Sequence, residues 1–437
     1  MSATESSPVT LPGRRSLPCA IPDTPLAGVV PGIETCVHCG FCLQACPTYV
    51  NLEDENDSPR GRIVLMRALV EGELPLDDPS VQTHIDRCLG CRACETACPS
   101  GVPYGQLLEA TRATLREVRP TPLIGRIILA IFARASALRV MLLASRFMRA
   151  TRLPALLSGL GGRLGFANAM LASTRLPLPE RDYDFGLSGA RGIVSLLEGC
   201  VMRGLYARTN RATRRTLRAN DYRVRPAQGQ VCCGALHAHA GDLDTARELA
   251  KQNIVAFEHT AADFIAVNAA GCGAMMKEYG HLLADDPEWA ERAAKLSAKV
   301  RDVSELLAAA GPRQGASLPL RVTYDAPCHL LHAQRVVAPP LAVLRAIPEL
   351  ELLPLTDAEQ CCGAAGIYNL VEPATSDAVL APKLRHIAST GADWVVTGNP
   401  GCLMQIGAGL RRAHARARTV HPVDLLDVSY ARSAVDR

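Results

Sequence analysis

Two stretches of eleven residues constrain this 437-residue chain more than any other feature. Cys36-Val37-His38-Cys39-Gly40-Phe41-Cys42-Leu43-Gln44-Ala45-Cys46 and Cys88-Leu89-Gly90-Cys91-Arg92-Ala93-Cys94-Glu95-Thr96-Ala97-Cys98 are each followed by proline, Pro47 and Pro99. Both fit C-x2-C-x2-C-x3-C-P, the run that holds [4Fe–4S] clusters in two-cluster ferredoxins. A cubic cluster offers four iron corners. Three closely spaced thiolates wrap three of them, and the fourth cysteine of each run crosses to the other cluster. The expected ligand sets are therefore Cys36, Cys39, Cys42 and Cys98 for one cluster, and Cys88, Cys91, Cys94 and Cys46 for the other. Structural zinc also takes four thiolates, but pairs two short C-x2-C hooks instead of packing four cysteines into eleven residues. The proline after each last cysteine turns the chain away.

These eight cysteines belong to a total of 17, far above ordinary usage, so the remainder needs an account too. Met1 to Thr10 is polar and lacks an apolar signal core, which leads us to expect a reducing, cytoplasmic setting in which clustered cysteines bind metal instead of forming disulfides. The 47 Lys and Arg nearly balance the 43 Asp and Glu, and aromatics make up only 4% of the chain. Such a chain lacks the basic field and the stacking platforms of a nucleic-acid binder. There is no G-x-G-x-x-G after a strand, no P-loop and no nucleophile elbow.

From residue 191 onward the chain repeats itself. Cys200, Cys232-Cys233-Gly234 and Gly271-Cys272 are answered by Cys328, Cys361-Cys362-Gly363 and Gly401-Cys402 at almost the same separations. Strand-like runs precede four of these cysteines: Gly192–Leu197, Ala262–Val267, Leu320–Tyr324 and Ala392–Thr397. Cysteines just past strands suit a parallel α/β sheet, whose ligands gather at the carboxyl ends of its strands. The expected fold is thus α+β and multidomain, a helical two-cluster ferredoxin domain followed by a duplicated α/β Cys-Cys-Gly domain. The 52-residue offset between Cys36 and Cys88, with an amphipathic pattern over Arg60–Val70, favours a helical ferredoxin over a compact β-rich one. Residues 1–32 read as a flexible lead-in carrying Cys19, 33–115 as the ferredoxin-type domain, 116–190 as a helical connector, 191–315 as repeat 1 and 316–437 as repeat 2.

Four thiolates per repeat, Cys200, Cys232, Cys233 and Cys272 or Cys328, Cys361, Cys362 and Cys402, would suffice for one further iron–sulfur cluster each. The alternative is buried, inert thiols. His38 and His84 flank the ferredoxin runs, where we read them as tuning hydrogen bonds or lying at the surface and not as ligands. His237, His239, His329 and His332 lie near the repeat cysteines, and we read them as satisfied structural histidines over protonation or quinone-site groups.

The whole pattern resembles the iron–sulfur subunit of bacterial glycolate oxidase. The likeness is carried by CVHCGFCLQACPTY from Cys36, SPRGRI from Ser58, DRCLGCRACETACPSG from Asp86, GCGAMMKEYG from Gly271, and Leu197-Glu198-Gly199-Cys200. The Cys-Cys-Gly repeats are also similar to those of heterodisulfide reductase and of the anaerobic glycerol-3-phosphate dehydrogenase small subunit. Unlike heterodisulfide reductase, this chain has Met275 and Gln405 where a closing C-x2-C pair would have its second cysteine. The resemblance implies an electron-transfer subunit of an oxidoreductase acting on CH–OH donors. FAD-bearing partner subunits would oxidise glycolate, and lactate as a further substrate, to the oxo acid. This chain would carry the electrons to a membrane acceptor, expected to be quinone, and would contribute no catalytic residue. It also implies a peripheral position on the inner face of the cytoplasmic membrane. The rival readings are the equivalent subunit of a lactate or glycerol-3-phosphate dehydrogenase, and a reductase in which the Cys-Cys-Gly repeats are themselves catalytic.

No stretch of the sequence is a transmembrane helix. The most apolar one, Leu123–Met148, is interrupted by Arg126, Arg134, Arg139 and Arg146.

Overall fold

The computed structural model describes residues 17–435. Among the described residues the ferredoxin-type region contains helices and loops but no strand. Its main helices are Pro47–Leu52, Pro59–Glu71, Pro79–Asp86, Ala93–Ala97 and Tyr104–Val118. Three begin with proline, whose missing N–H costs nothing in the first turn. The helix Pro59–Glu71 shows how local chemistry sets its limits. The Ser58 hydroxyl accepts from the Gly61 N–H at 2.9 Å, and Gly72 ends the helix in the left-handed conformation. Its inner face carries Ile63, Met66, Leu69 and Val70, which pack with Val81, Ile85, Leu107 and Leu108. That is the amphipathic face expected over Arg60–Val70.

The expected lead-in departs from the structure over its described part. Leu17, Ile21 and Leu26 pack on the same core, with Leu26 completely buried, and a helix spans Val30–Glu34. Residues 17–32 therefore belong to the helical domain. Their apolar side chains are spaced among prolines and give no periodic signal. Residues 1–16 lie outside the described part. The helix Tyr104–Val118 also runs past the expected boundary at 115.

Each Cys-Cys-Gly repeat is an open parallel sheet. Repeat 1 uses β1 (Ile193–Leu197), β2 (Arg223–Arg225), β3 (Phe264–Val267) and β4 (Val300–Asp302) in the order β2-β1-β3-β4. Repeat 2 uses β5 (Arg321–Tyr324), β6 (Glu351–Leu353), β7 (Trp394–Val396) and β8 (Arg418–Val420) in the matching order β6-β5-β7-β8. In each, the chain leaves the two central strands toward opposite edges. A crevice therefore opens where the order reverses, at the carboxyl ends of β1 and β3 or of β5 and β7. Register is equivalent in the two copies: Val194 pairs with Phe264, and Val322 pairs with Trp394.

The repeats exchange their last helices. Pro422–Val435 of repeat 2 packs on Ala207–Ala219 of repeat 1, while Val303–Ala310 of repeat 1 packs on Ala338–Arg345 of repeat 2. One apolar core therefore runs through both copies, from Val194, Leu196 and Leu217 to Val322, Val396 and Leu426. A buried ion pair crosses it, with the Arg215 guanidinium donating to both Asp427 carboxylate oxygens at 2.8 and 2.7 Å.

The connector is helical over Leu123–Ala133, Ala135–Ala150, Leu153–Leu157 and Gly162–Ser173. The first two are bent by 106° against each other, and no single helix among the described residues is long and apolar enough to cross a membrane.

Candidate iron–sulfur centres

The two ferredoxin runs are threaded so that their last cysteines change places. Cys36, Cys39, Cys42 and Cys98 line one cavity, together with Gly40, Arg60, Ile63 and Tyr104. Cys94 forms part of its wall. The lining contains no carboxylate that would compete with thiolates for a soft metal centre. Gly40, at φ +86°, takes a left-handed turn, and a Cβ there would come within 3.0 Å of the Arg60 guanidinium.

Cys46, Cys88, Cys91 and Cys94 are all buried and close enough to perturb one another. Burial, and then the neighbouring sulfurs, push the Cys91 and Cys94 thiols well above their ordinary range. The Tyr104 hydroxyl and the Gly90 N–H point at the Cys88 sulfur, at 3.7 and 3.5 Å. These four thiols crowd together without a disulfide, and all 17 cysteines are free. As a donor set this fits a [4Fe–4S] cluster, which ligates thiolates and accepts weak hydrogen bonds on sulfur.

A buried node invisible in the cysteine spacing positions the crossing residue Cys46. Asp57, fully buried, takes an ion pair from Arg62 at 3.1 Å, another from Arg87 at 3.0 Å, and lies 3.1 Å from the His84 ring. Thr48, two residues after Cys46, donates to the Asp57 carbonyl at 2.8 Å and accepts from Arg62 at 3.1 Å. Arg62 also donates to the His84 carbonyl at 2.6 Å, which ties this loop to the helix that leads into Cys88. The SPRGRI stretch contains Arg62 but gives no hint of its burial.

The four cysteines of each repeat meet at the crevice of that repeat. In repeat 1 the Cys232 sulfur lies 3.8 Å from Cys200, and Cys233 is hydrogen-bonded to Cys272. In repeat 2 the Cys362 sulfur lies 3.1 Å from Cys402. Thiols of Cys328 and Cys362 donate to the Cys361 sulfur and draw it well below the usual thiol range. Met275 and Gln405, at the places of the missing cysteines, are both buried. Gln405 is held by Asn369 and Ser376 at 2.9 and 2.8 Å, so its amide is committed to the protein.

The repeats differ in charge. Lys383 is buried in repeat 2, 2.9 Å from the Asp325 carboxylate, and feels Cys362 and Cys402. In the corresponding helix of repeat 1 the group is Asn253, which donates to the Cys232 carbonyl at 2.9 Å. Nothing in the sequence singled out Lys383, which lies more than twenty residues past Cys361 on a helix without a motif.

The two ferredoxin-type thiol sets and the set of repeat 2 adjoin one another. Cys91 of the second ferredoxin set packs in one apolar cluster with Cys328 and Cys361 of repeat 2. Repeat 1 meets the same loop through Arg92, which pairs with Glu278. Each of the four histidines near the repeat cysteines has a partner at one ring nitrogen, while Nδ1 of His237 and Nε2 of His332 are buried without one. His237 faces the Leu129 carbonyl at 3.1 Å, His329 the Gly90 carbonyl at 3.1 Å, and His332 the Thr96 hydroxyl at 2.8 Å. His239 lies 3.3 Å from Glu109 and stacks on His329. His38 is exposed, and Cys19 is an exposed free thiol.

Comparison with known proteins agrees with this architecture. Residues 32–102 match the family model of the 4Fe-4S dicluster domain, and residues 194–277 and 322–407 each match that of the cysteine-rich domain. The chain is 38% identical to the probable glycolate oxidase iron–sulfur subunit of Bacillus subtilis (strain 168), over 90% of this chain and 92% of that protein. It is 34% identical to the glycolate oxidase iron–sulfur subunit of Escherichia coli (strain K12), over 87% of this chain and 91% of that one. Lactate utilization protein A of Geobacillus thermodenitrificans (strain NG80-2) is 33% identical over 54% of this chain and 98% of its own. With paired ferredoxin runs, duplicated Cys-Cys-Gly sheets and near full-length similarity to two such proteins, the chain belongs to the family of glycolate oxidase iron–sulfur subunits.

Proposed function

We propose that this chain is the electron-transfer subunit of a glycolate-oxidising complex. In this reading, FAD-bearing partner subunits oxidise glycolate to glyoxylate, and this chain delivers the electrons to quinone at the inner face of the cytoplasmic membrane. The observation that carries it is the contiguity of the thiol sets. Cys36, Cys39, Cys42 and Cys98 would hold one [4Fe–4S] cluster and Cys88, Cys91, Cys94 and Cys46 the second, with repeat 2 packed directly against the latter. A bound [4Fe–4S] cluster takes up and releases one electron at a time, which lets a two-electron flavin donor be emptied in single steps. The chain's own residues fix the positions of the thiolates, supply hydrogen bonds from Tyr104 and Gly90 to Cys88, and exclude water from the second set.

Repeat 2 is the better candidate for a third metal–thiolate centre. Lys383, paired with the buried Asp325, places its ammonium near Cys362 and Cys402, where repeat 1 has the neutral Asn253. A lactate-oxidising complex is a second reading, supported by the likeness of part of the chain to lactate utilization protein A.

The test is anaerobic purification of the co-expressed complex, followed by addition of glycolate, lactate or glycerol-3-phosphate while absorbance and electron paramagnetic resonance are recorded. Glycolate should bleach the visible absorbance and generate the reduced-cluster signal. The Cys98→Ser variant should lose one of the two ferredoxin-type signals and keep the other. Iron-loaded complex that none of the three substrates reduces would overturn the proposal.

A further inference from the structure

Residues 118–179 contain nine arginines and no lysine, aspartate or glutamate. Nine of the chain's 47 basic residues thus fall in a stretch that holds none of its 43 acidic ones, which leaves the rest of the chain net negative. Among the described residues none of these arginines forms an ion pair, although 21 arginine– or lysine–carboxylate pairs occur elsewhere. Arg126, Arg134, Arg139, Arg146, Arg152 and Arg163 are exposed.

The same stretch concentrates exposed apolar side chains. Twelve of the twenty large exposed hydrophobic residues of the described chain lie between Val118 and Leu164. Phe147 is 74% exposed, Leu156 77% and Leu164 74%. On the helix Ala135–Ala150, Val140, Leu143 and Phe147 recur at three- and four-residue intervals along the outer face, while Leu138 and Leu142 face inward. Arg139 and Arg146 flank that outer stripe. Scattered exposed leucines need no explanation, but an apolar helix stripe bordered by cations of one sign, within a segment this rich in exposed apolar side chains, does.

We propose that this surface docks on an anionic phospholipid bilayer, with Val140, Leu143, Phe147, Leu156 and Leu164 entering the headgroup–acyl boundary and the arginines at phosphate level. Charge complementarity selects this occupant. A leaflet carries negative charge alone, whereas protein interfaces have polar rims in which both signs serve. The 106° bend rules out the two long helices as one straight span and lets them lie along the interface. The inference rests on the electron-transfer reading and gives it a geometry. A cavity of about 220 Å³ opens at the start of this segment, lined by Pro120, Thr121 and Pro122 on one side and Cys88, Leu236 and Ile367 on the others. Docking would bring a lipid-soluble acceptor to a recess that reaches the second ferredoxin thiol set.

The test is flotation of the co-expressed complex with phosphatidylcholine vesicles, with and without phosphatidylglycerol. Binding should require phosphatidylglycerol and weaken with salt. Neutralising Arg139→Gln and Arg146→Gln together should weaken partition about thirtyfold. Leu143→Ser with Phe147→Ser should abolish it while iron content and circular dichroism stay unchanged. Absence of binding to phosphatidylglycerol vesicles, or binding indifferent to both double variants, would overturn the proposal. So would dissociation of the partner subunits by the Leu143 and Phe147 variant, since the face would then be a subunit interface. Glycolate-driven bleaching with a soluble dye as acceptor separates the two levels. If bleaching persists without vesicle binding, the membrane inference alone fails; if it is absent, the electron-transfer reading fails.

Discussion

Removing the ammonium of Lys383 should loosen repeat 2 far more than a surface lysine would. Its Nζ lies 2.9 Å from Asp325 Oδ1 and donates to the Asp357 and Ala358 carbonyls at 2.9 and 3.1 Å, and both charged side chains are 1% exposed. At 2.9 Å and an effective dielectric of about 20, the pair attraction is about 6 kcal/mol. Much of it offsets desolvation, so the useful magnitude is the cost of stranding one partner, about 3–5 kcal/mol. Lys383→Met keeps the volume and leaves the Asp325 carboxylate with only the Thr397 hydroxyl, 2.9 Å away. Asp325→Asn strands the lysine instead. Hydrogen exchange followed by mass spectrometry reads the effect in the intact, metal-loaded protein. Amides of β5 and β7 should exchange about two hundredfold to five thousandfold faster in either variant, with the helix Pro59–Glu71 as internal reference. The double variant strands no charge, so its acceleration should fall well short of the product of the single effects. Single variants within threefold of wild type, or a double variant equal to that product, would refute the assignment of this pair as a coupled buried unit.

Two further outcomes follow from other buried groups. Burial pushes the Asp424 carboxyl up from 3.8 to about 7, although Thr209 donates to it at 2.9 Å. A carboxyl raised on folding costs stability as pH climbs from its unfolded value through its folded one. The stability gained by Asp424→Asn should therefore be about 2 kcal/mol larger at pH 8 than at pH 5.5, read from urea midpoints at the two pH values. An equal gain at both would sink this reading. Gly241, at φ +75°, sits where a Cβ would come 2.5 Å from the Arg112 carbonyl carbon, across the contact between the ferredoxin region and repeat 1. Gly229 has a similar φ of +81° and open space around it. Gly241→Ala should cost about 1–3 kcal/mol more than Gly229→Ala in thermal unfolding, since both share the backbone strain and only one has the clash.

The cysteine pattern made the ferredoxin-type sets and the duplication legible because ligand spacing and repeat period are written locally. The central strands were legible for the same reason. Ile193–Leu197, Phe264–Val267, Arg321–Tyr324 and Trp394–Val396 all fall inside the apolar runs that precede cysteines. The edge strands β2, β4, β6 and β8 were not, since three residues are too few to show a period. Long-range arrangements were also hidden. The Asp57–Arg62–His84–Arg87 node, the Lys383–Asp325 pair and the packing of Cys91 against Cys361 join residues that share no motif. Leu26 was hidden for a different reason, since a lone buried leucine among prolines and threonines looks like the loop it partly is.

The traded terminal helices make the Cys-Cys-Gly half a symmetric dimer written into one polypeptide. Each copy closes the other's apolar flank, so the contact has the self-complementary character of a two-fold homodimer interface. Severing the chain between residues 310 and 320 would not release two autonomous modules, because each fragment would still depend on the other for cover. The copies are therefore free to diverge in the chemistry of their crevices, lysine in one and asparagine in the other. They are not free to part company, and a gene that lost one copy would be expected to pair its product with itself.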